Sequence, residues 1–279
     1  MVSSSVEIKK YYDQEVVGKI RDFVKGNLRV EKAWNTIENW APESPKRILE
    51  VGCGIGSISW RMSYLWEKSE VVGIDISPKS IEVAKTLFGD SKVSFSRIEN
   101  GLTVDSLSGK FDLIIFMDVY EHIPPESRFS VHKALNKLSS DDGRIIITVP
   151  TPRFQNWLKN YDPEKIQPVD EDISLETMQK LAQDTEKEIL LYQDINVWRE
   201  GDYAHVVLGK RNGWSKENVK IVSHRTHCNT LSLKTQIKGK ILEKLGINSK
   251  LNTNSLVPSY LDRLALVRNK LGEEAYLDK

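Results

Sequence analysis

Arg47-Ile-Leu-Glu-Val-Gly-Cys-Gly-Ile-Gly56 is a short apolar run that ends in three alternating glycines. The apolar part reads as a buried strand, and Ser57–Trp66 behind it reads as a helix. Gly52, Gly54 and Gly56 remove side chains where the backbone must turn tightly and approach a ligand. The helix start after Gly56 offers unpaired N–H groups. Val71-Val-Gly-Ile-Asp75 is a second strand ending in an acid. In an open α/β sheet both strand ends fall on the carboxyl edge, where ligands bind. An acid placed there takes both hydroxyls of a ribose. These residues predict a nucleoside-type cofactor, with a nicotinamide dinucleotide left open. The dinucleotide fingerprint is G-x-G-x-x-G, built around a pyrophosphate. Here the spacing is G-x-G-x-G, preceded by Glu50.

Outward from this loop, strand and helix signals alternate. Ser77 reads as a helix N-cap with Pro78 at the first position, ahead of Ile81–Phe88. Val93–Phe95 is a weaker strand and Phe111–Met117 a strong one; Pro125–Leu138 is helical. Gly143–Val149 follows an Asp-Asp-Gly turn. The alternation predicts a mainly parallel sheet with helices on both faces. Glu188–Val197 and Tyr203–Gly209 flank Gly201-Asp202 as a hairpin, so the last strand is expected antiparallel. Before the sheet, Ile8, Tyr11, Tyr12, Val16, Ile20 and Val24 recur at helical spacing, and a second helix runs through Val30–Trp40. Residues 151–185 are too long for a simple connection and suggest a lid or substrate insertion with a helical second half. In the tail, Lys234–Leu245 and Ser259–Leu271 look helical. The division expected is a helical cap over 1–46, a core over 47–211, and a helical extension over 212–279.

Three sequence motifs occur together: Ile48-Leu-Glu-Val-Gly-Cys-Gly-Ile-Gly56, Val72-Gly-Ile-Asp-Ile-Ser-Pro78 and Phe111-Asp-Leu-Ile-Ile-Phe-Met-Asp-Val-Tyr-Glu-His-Ile-Pro124. In this order and spacing, residues 45–150 resemble the class I S-adenosylmethionine (SAM)-dependent methyltransferases, most closely the branch acting on small molecules such as quinones and sugars. The resemblance implies a Rossmann-like, doubly wound, seven-stranded, mostly parallel sheet, and SAM as cofactor. It also implies roles by position. Glu50 supports the loop, Gly52, Gly54 and Gly56 form it, and the first two meet the methionine half. Asp75 holds the ribose, and Ile76 packs on the adenine. Ile98 and Glu99 stand where an adenine edge is read, although the family usually has a Gly-Asp-like pair there. Asp118 faces the methionine, and the N-terminal helix bearing Tyr11 and Tyr12 covers the cofactor.

Methyl transfer needs mainly positioning, and a base only where the acceptor is a hydroxyl. The candidates are His122 at the mouth of the site, Tyr120 to orient an acceptor, and His205 in the last strand. Each has a plainer reading as a loop or core residue. Asp170 and Glu171 are candidates to bind a substrate hydroxyl, with a solvated acidic loop as the plainer reading, and Trp157 and Tyr161 are candidates to line an acceptor pocket, with insertion packing as the plainer one. A net charge of +1 gives no global field for nucleic acid. His224-Arg-Thr-His-Cys228 lacks zinc-like spacing, and no metal is expected. With two cysteines, no signal-peptide core and no membrane-length apolar run, a soluble cytoplasmic protein without a membrane partner is expected. Its partner would be a small-molecule acceptor, with the C-terminal helices available for a homodimer. The alternatives are an RNA or protein methyltransferase and a non-catalytic binding protein of the same fold.

Overall fold

The computed structural model describes residues 5–99, 102–103, 105, 107–211, 259–272 and 275. Three helices come first: α1 (Ser5–Gln14), α2 (Val16–Lys25) and α3 (Leu28–Trp40). The apolar periodicity over 8–24 thus belongs to two helices with a break at Glu15. Asn27 caps α3 by accepting from the Arg29 N–H at 2.9 Å. The core follows as β1 (Arg47–Val51), α4 (Ser57–Leu65), β2 (Glu70–Asp75), α5 (Pro78–Phe88), β3 (Val93–Arg97), β4 (Phe111–Met117), α6 (Pro125–Leu138) and β5 (Ser139–Pro150). After β5 come α7 (Pro152–Tyr161), α8 (Leu175–Asp184), β6 (Glu188–Ile195) and β7 (Tyr203–Gly209). One further helix, α9 (Tyr260–Leu271), lies in the C-terminal region. Lys234–Leu245 and His224–Cys228 lie outside the described residues.

The seven strands form one sheet in the order β3-β2-β1-β4-β5-β7-β6. The first five are mutually parallel, and β7 runs antiparallel to both β5 and β6. Chain direction across the sheet reverses between β1 and β4, which places a ligand crevice at their carboxyl ends. The parallel strands are covered on both faces, so they read as continuous apolar runs. One core packs Ile48, Val71, Leu113 and Ile115 under α2, α4, α5 and α9. The other packs Leu49, Ile74, Ile114 and Ile147 under α6 and α8.

Two features differ from the sequence reading. The Asp141-Asp142-Gly143 segment is part of β5: pairing with β4 jumps from Phe111↔Ser139 to Leu113↔Arg144, and the extra residues are accommodated as an irregularity held by Ser140 Oγ on Asp112 Oδ1. The 151–185 insertion is helical in its first half too, because Thr151 caps α7 and Pro152 sits in its first turn. α9 packs on α2 and α5, joined by Arg263 Nη1 donating to the Phe23 carbonyl at 3.0 Å. Among the described residues no helix is long and apolar enough to cross a membrane.

Candidate active site

The carboxyl ends of β1, β2 and β4 open into a cavity of about 780 Å³. Its wall includes Gly52, Gly54, Asp75, Ile76, Ile98, Glu99, Asp118 and His122. The β1–α4 turn brings the glycines there with left-handed backbone. At Gly52 (φ +72°) a Cβ would stand 2.3 Å from a Val119 methyl, and at Gly56 (φ +82°) 2.6 Å from the Phe95 ring. Gly56 therefore shapes the turn against β3 without lining the cavity. Asp75 is held rigidly: Oδ2 accepts from the Gly54 N–H and Oδ1 from the Ser77 N–H, both at 2.8 Å. One carboxylate thereby ties the glycine loop to the start of α5.

Glu50 lies behind the loop, 1% exposed, with Oε2 accepting from Ser59 Oγ at 2.5 Å. Burial is the main cause that pushes its carboxyl up to about 7, against the Ser59 bond, with Asp75 adding to the rise. The unfolded chain releases this proton near 4.5 and the folded chain near 7. Between those values the native state holds more protons, so its stability falls as pH rises. That loss is on the order of 3 kcal/mol. Urea unfolding of the unliganded protein near pH 5 and near pH 7.5 should show a Glu50→Gln variant with a flatter pH dependence than wild type by about this amount.

Asp118 ends β4 with φ +54°, an unusual conformation for a side chain to adopt. Its N–H donates to the Thr148 carbonyl, its Oδ1 accepts from Thr148 Oγ1, and its Oδ2 faces Arg29 Nε, each at 3.0 Å. Burial raises the Asp118 pKa, opposed by Arg29. The neighbouring Glu121, 2% exposed, is pushed well up by burial and by Asp118. Of these acids Asp118 lines the cavity, where it stands paired with Arg29.

His122 combines cavity access with a defined tautomer. Its Nδ1 lies 2.6 Å from the Val169 carbonyl, which can only accept, so Nδ1 carries the hydrogen and Nε2, 3.7 Å from Glu121 Oε1, is the unprotonated nitrogen. Burial lowers its pKa below 6.5, opposed by Asp170. Asp170 is therefore no solvated loop acid: its Oδ1 lies 3.4 Å from His122 Nδ1 and also accepts from Gln155 Nε2 at 3.0 Å.

Three other candidate residues fall away from the cavity. Tyr120 is fully buried; its hydroxyl meets His132 Nε2 at 2.6 Å and its ring stacks on the same imidazole. The short 3-10 turn Tyr120–His122 sends these two side chains in different directions. Tyr120→Phe should therefore cost stability, by roughly 1–2 kcal/mol in thermal or urea unfolding, and leave kcat unchanged. His205 is 1% exposed, with Nδ1 at 2.7 Å from Thr36 Oγ1 of α3, and burial pushes it down to about 4. All seven residues of β7 are buried, so neither face of the strand opens to the cavity. Tyr11 packs edge-on against Tyr12, and Tyr12 lines the cavity. Adjacent helical residues point about 100° apart, so only one faces inward. Trp157 stacks on Phe154 and Tyr161 is exposed, both off the cavity. Lys19, Arg29 and Arg263 line the cavity without a local sequence signal, since each arrives on a helix packed from outside the core. Among the described residues no group of His, Cys, Asp and Glu is arranged to hold a metal.

A doubly wound sheet in this strand order, with a glycine loop and a paired acid at its carboxyl edge, is the class I nucleoside-binding methyltransferase architecture. The chain belongs to the SAM-dependent methyltransferase family, whose methyltransferase domain matches residues 42–222. It is 33% identical to a ubiquinone biosynthesis O-methyltransferase of Dechloromonas aromatica, over 40% of this chain and 48% of that one. It is 36% identical to the chloroplastic tocopherol O-methyltransferase of Arabidopsis thaliana, over 37% of this chain and 29% of that one. The chain spans about half the length of the first curated relatives it matches. In fold it is similar to an S-adenosylmethionine-dependent methyltransferase from Mesorhizobium loti. That likeness has a TM-score of 0.52 at 16% identity and covers 67% of this chain and 100% of that one.

Proposed function

We propose that this protein transfers the methyl group of SAM to a hydroxyl of a small acceptor, with His122 as the base. The observation that carries the reading is the His122 geometry: the proton sits on Nδ1, Nε2 is the unprotonated nitrogen with Glu121 Oε1 at 3.7 Å, and the residue lines the cavity together with Asp118. In this reading the methionine part of SAM runs over Gly52 and Gly54 toward Asp118, whose carboxyl group receives its ammonium. Asp75 takes the ribose hydroxyls, and Ile76, Ile98 and Glu99 receive the adenine. Tyr12 and α1 close the site from above, tied down by Asp13, which accepts from Ser77 Oγ at 2.6 Å.

The leaving group is a neutral thioether, so the reaction proceeds by displacement once donor and acceptor are aligned. As the acceptor oxygen bonds to the methyl carbon and the carbon–sulfur bond breaks, the hydroxyl proton passes to His122 Nε2. A cavity of about 780 Å³ is within the roughly 300–1,000 Å³ of small-molecule sites. The O-methyltransferase names of the relatives support oxygen as the acceptor atom. Titration calorimetry with SAM and S-adenosylhomocysteine, followed by transfer of labelled methyl to a panel of hydroxylated acceptors and their methyl ethers, tests the reading. Absence of SAM binding, or transfer to RNA or protein alone, would sink it.

A further inference from the structure

Part of the cavity wall is built by segments outside residues 42–222: the α2–α3 region and α9. Here Arg263 is 5% exposed and lines the cavity. Its Nη1 is committed to the Phe23 carbonyl at 3.0 Å, while Nε and Nη2 are buried and meet no acceptor. These two donors share one edge of the guanidinium. Arg47 uses the same edge on Glu70, with Nε at 2.7 Å from one oxygen and Nη2 at 3.1 Å from the other. An edge of this shape matches a planar carboxylate.

The chain's nearby acids are engaged elsewhere. Glu31 holds Arg61 through both oxygens at 3.0 Å, and Asp262 closes the capping box of α9 with Ser259. Burial lowers the Arg263 pKa to about 10, which keeps it charged at neutral pH without a partner. A buried charge left unpaired is costly, and a ligand anion would relieve it. Around it the wall is aromatic: Phe23 meets Trp60 edge to face at 6.4 Å, and Val30 lies in the same wall.

Building on the proposed function, we propose that the unpaired Nε/Nη2 edge of Arg263 binds the carboxylate of the methyl acceptor, an aromatic hydroxy acid whose ring lies against Phe23 and Trp60. The test is calorimetry on the full chain saturated with S-adenosylhomocysteine, using 3,4-dihydroxybenzoate and catechol as probes. The benzoate should bind about tenfold to a hundredfold tighter than catechol. Arg263→Gln should erase that preference and Arg263→Lys keep part of it, both with unchanged affinity for S-adenosylhomocysteine, which also reports folding. Equal binding of the two probes, no binding of the benzoate, or a preference that survives Arg263→Gln overturns the site. Weaker S-adenosylhomocysteine binding in a folded Arg263→Gln variant also overturns it, because the edge then serves the donor's carboxylate. If the wild type binds no S-adenosylhomocysteine, the proposed function fails first, whichever way the probes divide.

Discussion

His122→Ala should lower kcat by about 10²–10⁴-fold, the usual contribution of a positioned base, while SAM affinity stays unchanged. The basis is local. Val169 holds the Nδ1 hydrogen, leaving Nε2 as the proton-accepting nitrogen of a residue that lines the cavity. The sign of the pH effect follows from the direction of the His122 shift. Burial favours neutral imidazole and places its pKa below 6.5. The base is then present at neutral pH, and activity is lost as pH falls through that lowered value. The wild-type pH–rate profile should show this acid limb in kcat, and the variant should lack it. A variant that keeps more than about a third of the wild-type kcat, or retains the limb, excludes His122 as the base. A change confined to KM would instead mean that the Val169 bond only positions the loop.

The second large effect is expected at Asp75. Its two oxygens accept the Gly54 and Ser77 N–H groups inside the protein, and the residue lines the cavity. Hydrogen bonds to a charged group contribute about 1.5–3 kcal/mol each. Losing two to a ribose makes SAM binding roughly 10²–10⁴-fold weaker in Asp75→Ala. The alanine also strands the Gly54 N–H, so the unliganded protein should melt earlier. Asp75→Asn separates the two causes: its amide oxygen keeps one backbone bond, and the remaining defect reports on the ribose. Calorimetry with SAM, paired with thermal unfolding, reads both. Full SAM affinity in Asp75→Asn would remove the carboxylate from cofactor binding.

How much of the site was legible depends on the distance over which each part is assembled. The glycine loop and Asp75 lie at the ends of adjacent strands, and their positions follow from strand, turn and helix in immediate succession. The N-cap role of Ser77 is likewise local, with its Oγ accepting from the Ser80 N–H at 3.0 Å. Tyr120 and His122 show the limit. They share one turn, yet one is sealed against His132 and the other opens to the cavity. Nothing in Asp118-Val-Tyr-Glu-His122 specifies which, because a 3-10 turn has no face until α6 and the 166–173 segment pack on it. His205 sat on a strand that reads as alternating, but pairing on both edges and cover by α3 made it a core residue. In the same sheet order the predicted hairpin is real, and β6 forms the edge.

By itself the sequence determined the strand–helix alternation, the antiparallel final strand, and the glycine–acid pair at the carboxyl edge. Each rests on segments whose apolar pattern and turn residues are contiguous, even where the bonds that join them, such as Gly54 N–H to Asp75, span the strands. Only the tertiary structure decided what surrounds a methyl acceptor. The His122 tautomer depends on a carbonyl 47 residues away, and Arg263 is anchored on a carbonyl 240 residues away. Helices packing against a finished sheet set such contacts, since the direction of each side chain is decided by which faces remain to be buried.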